Sequence, residues 1–309
     1  MKTVPFSGGT AAAVIAGMMR IADKTDAEVR ELYDTARGAG IDFFDHADIY
    51  GGAMHVCEDR FASALELSSS ERAEIVLQTK CGIVPTEQMF DFSYEHIITQ
   101  AEGSLQALRT DYIDVLLLHR PDALVEPDEV ARAFDELEAA GKVRAFGVSN
   151  HTPRQIDLLR TAVTQPLVAN QLQLSITHSP IIAQGTAANM SGEEQSVVRD
   201  GGGIVDYCRI NGITIQAWSP FQGGFFDGVF LGNDKYAELN GVLDRLAAKY
   251  DVAPIAIATA WITRHPAHMQ VVLGTTTPQR VTDAAAGADV VLTRAEWYEL
   301  FRTAGHIVP

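Results

Sequence analysis

The chain has 309 residues, of which 47% are hydrophobic, so it is long enough to bury a large core. Its formal net charge is −16, since 40 acidic side chains outnumber 24 basic ones, and such an acidic surface disfavours nucleic acid and anionic membranes as partners. No apolar run reaches the roughly 20 residues that a membrane-spanning helix needs, and we identify no signal peptide, so we expect a cytoplasmic protein that does not contact the membrane.

The three cysteines lie far apart in the sequence, at Cys57, Cys81 and Cys208. They form no Cys-x-x-Cys pair and show none of the Cys/His spacings that are typical of a metal site, so we expect no bound metal ion. An odd number of isolated cysteines is typical of free thiols in a reducing compartment, which agrees with the expected cytoplasmic location.

Eight short apolar runs alternate with longer amphipathic segments along the chain. The runs predict β-strands at 12–16, 41–45, 74–80, 112–119, 143–149, 167–171, 213–218 and 270–273. Helical periodicity predicts helices between them, at 26–39, 58–67, 93–108, 126–140, 152–162, 202–210 and 235–250. Uninterrupted apolar runs such as 115–118 are typical of parallel strands that are buried on both faces.

Capping residues mark the ends of several predicted helices. Thr25 with Glu28 three residues later has the pattern of a capping box, and Ser93 is a candidate N-cap. Gly40 and Gly141 directly follow predicted helix ends, where glycine adopts a left-handed backbone at least cost. These signals agree with the helices that periodicity predicts.

Eight strand–helix alternations in about 300 residues predict an α/β fold, a closed (β/α)8 TIM barrel formed by a single domain over residues 1–309. An open doubly wound sheet is the competing class, but its G-x-G-x-x-G signature after the first strand is absent, as is the phosphate-loop pattern. Two long segments, 180–203 and 221–235, follow predicted strands. We therefore place them as long loops at the C-terminal face of the barrel, where active sites lie.

Polar side chains stand at the C-terminal ends of successive predicted strands. They are Asp45, Lys80, His119, Ser149 with Asn150, and Asn170 with Gln171, while Tyr50 follows Asp45 by one short turn. Each of these residues alone is compatible with a structural role. Together they place a carboxylate, an amine, an imidazole and a phenol on one rim, and buried charges of this kind are costly unless they are paired.

The chemistry of these four side chains suits the reduction of a carbonyl group. A developing alkoxide needs a proton donor, and a free tyrosine, with a pKa of about 10, is a reluctant one at neutral pH. We expect Lys80 to lower the pKa of Tyr50 and Asp45 to keep Lys80 charged. A neutral His119 can then donate a hydrogen bond to the carbonyl oxygen.

Motifs in a fixed order over nearly the whole chain resemble those of the aldo-keto reductases. The segment 40–51 reads Gly-Ile-Asp-Phe-Phe-Asp-His-Ala-Asp-Ile-Tyr-Gly and looks like the signature of that family near its second strand. Further matches follow at 77–80, 111–122, 141–150, 170–171, 216–220 and 274–280. The closest resemblance is to the bacterial branch that carries Asp-His-Ala-Asp-Ile-Tyr-Gly-Gly, here at 45–52.

The resemblance implies an NADP(H)-dependent oxidoreductase that reduces aldehydes and ketones by direct hydride transfer. Tyr50 would be the general acid, Lys80 and Asp45 would tune it, and His119 would orient the substrate. Cofactor-binding positions would be Gly17, Met18, Ser149, Asn150, Gln171, Trp218, Ser219, Pro220, Phe221, Gly223, Gly274, Thr275, Thr276 and Arg280. Among these, Ser149, Asn150 and Gln171 would hold the nicotinamide carboxamide, and Trp218 would stack on the ring, where the family more often has tyrosine.

The adenosine end of the cofactor site departs from a common family pattern, because no lysine stands near Gly274. Arg280 remains, and a guanidinium can grip a 2′-phosphate with two hydrogen bonds. We therefore expect NADP(H) to be preferred over NAD(H). Residues that shape the mouth of the site would include Met19, Arg20, Phe90, Phe92 and Arg120. The short tail after the last helix, 305–309, implies an open pocket with loose specificity.

Two other functions are compatible with a barrel of this kind. A regulatory or scaffold subunit, resembling the potassium-channel β subunits of the family, would bind the nucleotide with little turnover, but it has no need of the complete set Asp45, Tyr50, Lys80 and His119. A metal-dependent hydrolase would need paired histidines, and His119 has no H-x-H neighbour. We expect a small-molecule carbonyl compound as the partner, and a monomer or weak homo-oligomer.

Overall fold

A computed structural model describes residues 1–187, 202–224 and 228–308 of the chain. The described strands are β1 (Thr3–Phe6), β2 (Gly9–Ala12), β3 (Val14–Gly17), β4 (Phe43–Asp45), β5 (Val76–Cys81), β6 (Ile83–Val84), β7 (Met89–Phe90), β8 (Val115–Leu118), β9 (Phe146–Ser149), β10 (Leu167–Gln173), β11 (Thr214–Trp218) and β12 (Gln270–Leu273). The last predicted strand, 270–273, is confirmed at both ends.

The described helices surround these strands. They are α1 (Asp26–Gly38), α2 (Val56–Leu65), α3 (Ser69–Ala73), α4 (Tyr94–Ala107), α5 (Pro127–Ala139), α6 (Pro153–Leu159), α7 (Pro180–Thr186), α8 (Ile204–Ile210), α9 (Ala237–Tyr250), α10 (Pro254–Thr263), α11 (Pro278–Ala286) and α12 (Arg294–Thr303). Thr25 and Glu28 form the predicted capping box, Ser93 caps α4, and Gly40 and Gly141 have left-handed backbones.

Within the described residues, eight strands close into a parallel barrel, in the order β3, β4, β5, β8, β9, β10, β11 and β12. β12 pairs with β3 through Val271↔Val14 and Leu273↔Ala16, which completes the ring. The predicted (β/α)8 TIM barrel is therefore confirmed, and its strands end together on one rim. No described helix is long and apolar enough to cross a membrane.

The first predicted strand, 12–16, was wrong in its boundaries. The apolar run bends at Ala13, so that Ala12 ends β2 and Val14 begins the barrel strand β3. β1 and β2 form an antiparallel hairpin that the sequence did not indicate as strands, and its turn uses Ser7 and Gly8 with positive φ angles. Turns with positive φ at both central residues match the natural twist of a hairpin.

The hairpin closes the N-terminal end of the barrel. Its Phe6 contacts Phe43 of β4 edge to face, with ring centroids 5.4 Å apart. These two residues belong to a buried apolar layer inside the barrel, together with Ala11, Ile15, Val115, Leu117, Val168, Ala169 and Val272. A much larger apolar cluster fills the space between the strands and the helices.

Periodicity did not predict α10, because this helix has no polar face: eight of its ten residues are buried. It packs beneath α9 and α11, where a helix that is apolar all round is expected. The long segment 180–203 contains α7, and its residues 188–201 lie outside the described residues, as do 225–227 of the segment 221–235. All three cysteine thiols are free and buried.

Candidate active site

Lys80 links the polar residues at the C-terminal rim of the barrel. Its buried ammonium lies 2.8 and 2.7 Å from the two carboxylate oxygens of Asp45, and it donates a further hydrogen bond of 2.7 Å to the carbonyl oxygen of His46. The ammonium also lies 3.2 Å from the phenolic oxygen of Tyr50. The structure therefore brings Asp45, Lys80 and Tyr50 into direct contact, as the strand-end positions predicted.

His119 completes this group from the end of β8. Its ring lies edge-on to Tyr50, with ring centroids 5.9 Å apart and an interplanar angle of 82°. Its Nδ1 atom is buried and has no hydrogen-bond partner in the described parts of the chain. Burial lowers the pKa of His119 well below its usual value, and the charges of Lys80 and Arg120 lower it further, so the ring is neutral at physiological pH.

The charges of the cluster follow from its burial. Burial alone would lower the pKa of Lys80, but the Asp45 carboxylate and the hydrogen bonds to Asp45 and Tyr50 raise that pKa above its ordinary value. Burial raises the pKa of Tyr50, and Lys80 offsets this only in part. The expected lowering of the Tyr50 pKa is therefore outweighed, and Tyr50 keeps its proton at neutral pH.

A column of glutamine side chains supports Asp45 from inside the barrel. The Asp45 Oδ1 atom accepts hydrogen bonds from Gln78 at 2.6 Å and from Gln171 at 3.0 Å, in addition to the one from Lys80. Both amides also donate to Gln216, which in turn donates to Gln270 at 3.1 Å. The carboxylate is thus held by neutral and charged donors together, as a buried charge requires.

The alternation of strand side chains explains this column. Gln78 lies two residues before Lys80 on β5, and Gln216 lies two residues before Trp218 on β11, so each pair faces the barrel interior. Both glutamines lie within the family motifs at 77–80 and 216–220, but neither has a predicted role. Because alternate residues of a strand face the same side, the positions two residues before Lys80 and Trp218 could have been predicted to face the barrel interior.

Four predicted cofactor residues form a chain of hydrogen bonds beside the cluster. The Trp218 indole donates to Asn150 Oδ1 at 3.1 Å, and Asn150 Nδ2 donates to Ser149 Oγ at 2.9 Å. Ser149 Oγ donates to the carbonyl oxygen of Gln171 at 2.9 Å. Asn150 adopts a left-handed backbone with φ of 60°, which turns its amide group back toward Trp218. The structure brings Ser149, Asn150, Gln171 and Trp218 together, with the Gln171 amide nitrogen directed at Asp45.

The segment after β11 turns sharply at Ser219, whose backbone is left-handed with φ of 51°. Pro220 and Phe221 are buried beneath the loop. A Cβ atom at Gly223 would lie 2.4 Å from the Tyr236 hydroxyl oxygen, so a larger residue there would require the Tyr236 side chain to move. Of this predicted group, Ser219 and Gly223 remain partly exposed, and Ser219 directly follows Trp218.

Gly17 and Met18 follow β3 at the junction with β12. A Cβ atom at Gly17 would lie 2.4 Å from the carbonyl oxygen of Leu273, so closure of the barrel itself requires glycine. The Met18 side chain is buried in the core, and its N–H group donates to the Asp45 carbonyl oxygen at 2.9 Å. Both residues therefore have structural roles next to Asp45. The Met18 side chain exposes no surface with which it could contact a cofactor.

The predicted adenosine-phosphate segment begins after β12. Gly274, Thr275 and Thr276 are half-buried, and Arg280 is exposed near the start of α11, with no hydrogen bond or ion pair to the described residues. The Arg20 guanidinium, from the loop after β3, donates to the Gly274 carbonyl oxygen at 3.1 Å. Arg20 therefore places a second cation next to Gly274, where many family members have a lysine.

Buried acidic residues, to which the sequence pattern assigned no role, lie behind Tyr50. Glu58 of α2 is fully buried and accepts hydrogen bonds from Thr79 at 2.5 Å and Ser104 at 3.1 Å, while the His55 ring lies 2.6 Å away. The carboxylate oxygens of buried Asp48 have no partner among the described residues. Burial and the nearby Glu58 raise the pKa of Asp48 to about 8. The segment 52–58, which had no predicted role, thus anchors the loop that carries Tyr50.

Apolar side chains surround the mouth of the site. The large hydrophobic residues Met19 and Met54 remain exposed on the loops that follow β3 and β4, and Met89 and Phe90 remain exposed in β7, which follows β5 and β6. Phe92, which we placed at the mouth, is instead buried and stacks on the His151 ring at 6.1 Å. No group of three or more His, Cys, Asp or Glu side chains within the described residues is arranged to hold a metal ion.

Comparison with known proteins identifies the family. The model of the aldo/keto reductase family matches residues 13–302. The chain belongs to this family. It is 35% identical to the uncharacterized oxidoreductase YcsN of Bacillus subtilis, over 96% of this chain and 95% of that protein. It is 33% identical to the 6-dehydroglucose reductase of Agrobacterium fabrum, over 94% of this chain and 93% of that protein.

A solved structure shows the same fold at lower sequence identity. The thermostable aldo-keto reductase Tm1743, in complex with the inhibitor epalrestat, aligns with a TM-score of 0.77 and 21% identity, covering 98% of this chain and 100% of that one. This likeness shows the same barrel fold. The family match and the oxidoreductase relative YcsN show that the chain is an oxidoreductase of the aldo-keto reductase type.

Replacing Asp48 by asparagine tests the buried acid behind Tyr50. An ordinary aspartate has a pKa near 3.9 in the unfolded chain, whereas folded Asp48 keeps its proton up to a pH of about 8. Its contribution to stability is therefore fully present below about pH 4 and is lost as the pH rises toward 8, by up to about 1.4 kcal/mol per pH unit. Asp48→Asn should thus become progressively more stable than the wild type over that range.

The free energy of unfolding in urea, measured for both proteins between pH 5 and 8, checks this expectation. Asp128→Asn, which removes an exposed carboxylate from α5, serves as the matched control. A difference between Asp48→Asn and the wild type that stays constant over this range would show that Asp48 is ionised throughout.

Proposed function

We propose that this aldo-keto reductase reduces aldehydes and ketones to alcohols with NADPH, and that Tyr50 donates the proton. The contact of the Lys80 ammonium with both Asp45 and the Tyr50 hydroxyl carries the proposal. A fully buried lysine paired with a buried carboxylate and directed at a phenol has no evident purpose in packing. The reductase name of the Agrobacterium relative supports the reductive direction.

The residues around this cluster fit a nicotinamide dinucleotide. Trp218 offers a partly exposed aromatic ring beside Ser149 and Asn150, whose side chains can donate to and accept from a carboxamide. At the other end, exposed Arg280 has an unused guanidinium that suits a phosphate. We propose that the remaining predicted positions, from Ser219 to Gly223 and from Gly274 to Thr276, contact the cofactor mainly through their backbone groups.

The catalytic steps of this chain's own residues follow from their protonation states. NADPH, when bound, supplies the hydride that adds to the carbonyl carbon. Neutral His119 offers an N–H donor to the carbonyl oxygen and so orients the substrate. Tyr50 then transfers its proton to the developing alkoxide, and Lys80 stabilises the phenolate that remains. Asp45 keeps Lys80 charged throughout, so the positive charge is in place before the reaction begins.

We propose that NADP(H) is preferred over NAD(H) because of the cations at the adenosine end. Arg280 is free to bind a 2′-phosphate with two hydrogen bonds, which NAD(H) does not offer. Arg20 brings a second guanidinium to the Gly274 carbonyl oxygen at the same loop. The acidic net charge of the protein makes such local cations more important, since it repels a phosphate at longer range.

Tyr50→Phe tests the role of the acid. The change removes only the hydroxyl group, so turnover of aldehydes should fall about 100- to 10,000-fold while NADPH still binds. NADPH oxidation at 340 nm over a panel of aldehydes, ketones and dicarbonyls measures turnover, and quenching of protein fluorescence measures binding. Tyr298→Phe, on α12 far along the chain from the site, is the matched control and should keep full activity.

Two outcomes would contradict the proposal. Near-normal turnover by Tyr50→Phe would show that another group donates the proton. If the wild type bound NADPH but reduced none of the carbonyl compounds, a nucleotide-binding regulatory subunit would become the better account.

Arg280→Met tests the choice of cofactor. Loss of a charge-assisted contact to the 2′-phosphate should raise the KM for NADPH about 10- to 100-fold and leave the KM for NADH nearly unchanged. Steady-state kinetics with both cofactors measure this, and Arg294→Met at the exposed start of α12 controls for the loss of one surface charge. A wild-type enzyme that used NADH better than NADPH at equal concentration would overturn the assignment.

A further inference from the structure

Arg120 is a half-buried cation at the mouth of the site, and no residue that the structure describes neutralises it. It follows His119 directly at the end of β8, and its guanidinium carbon lies 5.8 Å from the centre of the Trp218 ring. Arg120 donates no hydrogen bond and forms no ion pair to any residue that the structure describes. Its planar donors are therefore held at the site without an acceptor from the described part of the chain.

Arg72 shows how this protein treats an arginine whose role is structural. Its guanidinium donates to the Asp114 carboxylate at 2.7 Å and to the carbonyl oxygens of Ile75 and Tyr112 at 3.0 and 2.8 Å. A guanidinium has five N–H donors and loses hydration when it is buried, so partners of this kind are expected. Arg120 is partly buried as well, yet among the described residues it has no hydrogen-bond acceptor and lies only over the face of the Trp218 ring.

The charge of Arg120 acts on the reacting groups. It contributes to the lowered pKa of His119, together with burial and Lys80. Burial lowers the pKa of Arg120 itself, and the nearby Tyr50 opposes that effect. These influences place the guanidinium within electrostatic reach of both residues that would meet a substrate carbonyl group.

The rest of the molecule would repel an anionic substrate. The formal net charge is −16, so the protein as a whole carries an excess of negative charge that repels an anion at long range. An unpaired cation at the mouth would reverse this repulsion locally, and a partly desolvated guanidinium gains most from a carboxylate, which it can bind with two parallel hydrogen bonds.

We infer that Arg120 anchors the substrate and that the preferred substrates are carbonyl compounds that also carry a carboxylate. The inference rests on the proposed carbonyl reduction at Tyr50 and adds the chemical class of the substrate. The reaction leaves the carboxylate unchanged: the carbonyl carbon gains the hydride, its oxygen gains the Tyr50 proton, and the carboxylate stays bound to Arg120. The exposed apolar residues Met19 and Phe90 at the same rim are available to the carbon skeleton between the two groups.

Matched pairs of acids and their methyl esters test this inference. Suitable acids are glyoxylate, succinic semialdehyde and 4-carboxybenzaldehyde, which place the carboxylate at three different distances from the carbonyl group. The wild type should reduce at least one acid with a kcat/KM about 10-fold or more above that of its ester, because a charged hydrogen-bonded pair adds that much. Arg120→Met should lower kcat/KM for that acid about 10- to 100-fold, mainly through KM, and change the ester less than about threefold.

Two controls separate this effect from general damage. Arg154→Met removes an exposed arginine of α6, whose side chain is 88% accessible, and should leave the acid-to-ester ratio unchanged. Benzoate and its neutral counterpart benzamide provide a readout without turnover, followed through tryptophan fluorescence because Trp218 lies beside Arg120. Benzoate should bind the wild type and not Arg120→Met, and benzamide should bind neither tightly.

The outcomes distinguish this inference from the proposed function. If the wild type reduces esters as well as acids, or if Arg120→Met affects both equally, carbonyl reduction stands and the carboxylate anchor is wrong. An equal loss for glyceraldehyde, a neutral polyhydroxylated aldehyde, would show that Arg120 binds hydroxyl oxygens and would also overturn the carboxylate claim. If no carbonyl compound is reduced at all, the proposed function fails and the anchor fails with it.

Discussion

The ion pair between Asp45 and Lys80 is the constraint on which the rest of the site depends. Both side chains are buried, at 2% and 0% exposure, so neither charge can be left without its partner. Breaking a buried pair typically costs about 3–5 kcal/mol, because one uncompensated charge remains. The glutamines of the barrel interior, the His46 carbonyl group and the Tyr50 hydroxyl complete the hydrogen bonds of the pair and are in turn oriented by it.

The closed barrel brings these residues together from distant parts of the chain. Asp45 lies opposite Gly17 on one side and Gln78 on the other in the strand register, and the close approach at Gly17 leaves no room for a side chain. The barrel interior contains both a cluster of apolar side chains and the polar column of glutamines that supports Asp45. The apolar cluster stabilises the barrel, and the polar column orients the charged residues at its rim.

The sequence predicted the barrel well because its strands and most of its helices have clear apolar periods. It also predicted that Asp45, Tyr50 and Lys80 would meet, since strand ends of a parallel barrel lie on one rim. It did not predict α10, whose apolar surface has no period, nor the partners of Glu58, which come from β5 and α4. Burial raises the pKa of Tyr50 more than Lys80 lowers it. The extent of burial is a property of the folded structure and could not be predicted from the sequence.

A double-mutant cycle on Asp45 and Lys80 tests the central claim most directly. The free energy of unfolding in urea is measured for the wild type, Asp45→Asn, Lys80→Met and the double variant. Each single variant should lose about 3–5 kcal/mol, and the double variant should lose less than the sum by about 2 kcal/mol or more, because it buries no unpaired charge. Losses that add to within about 0.5 kcal/mol would show that the two charges do not depend on one another.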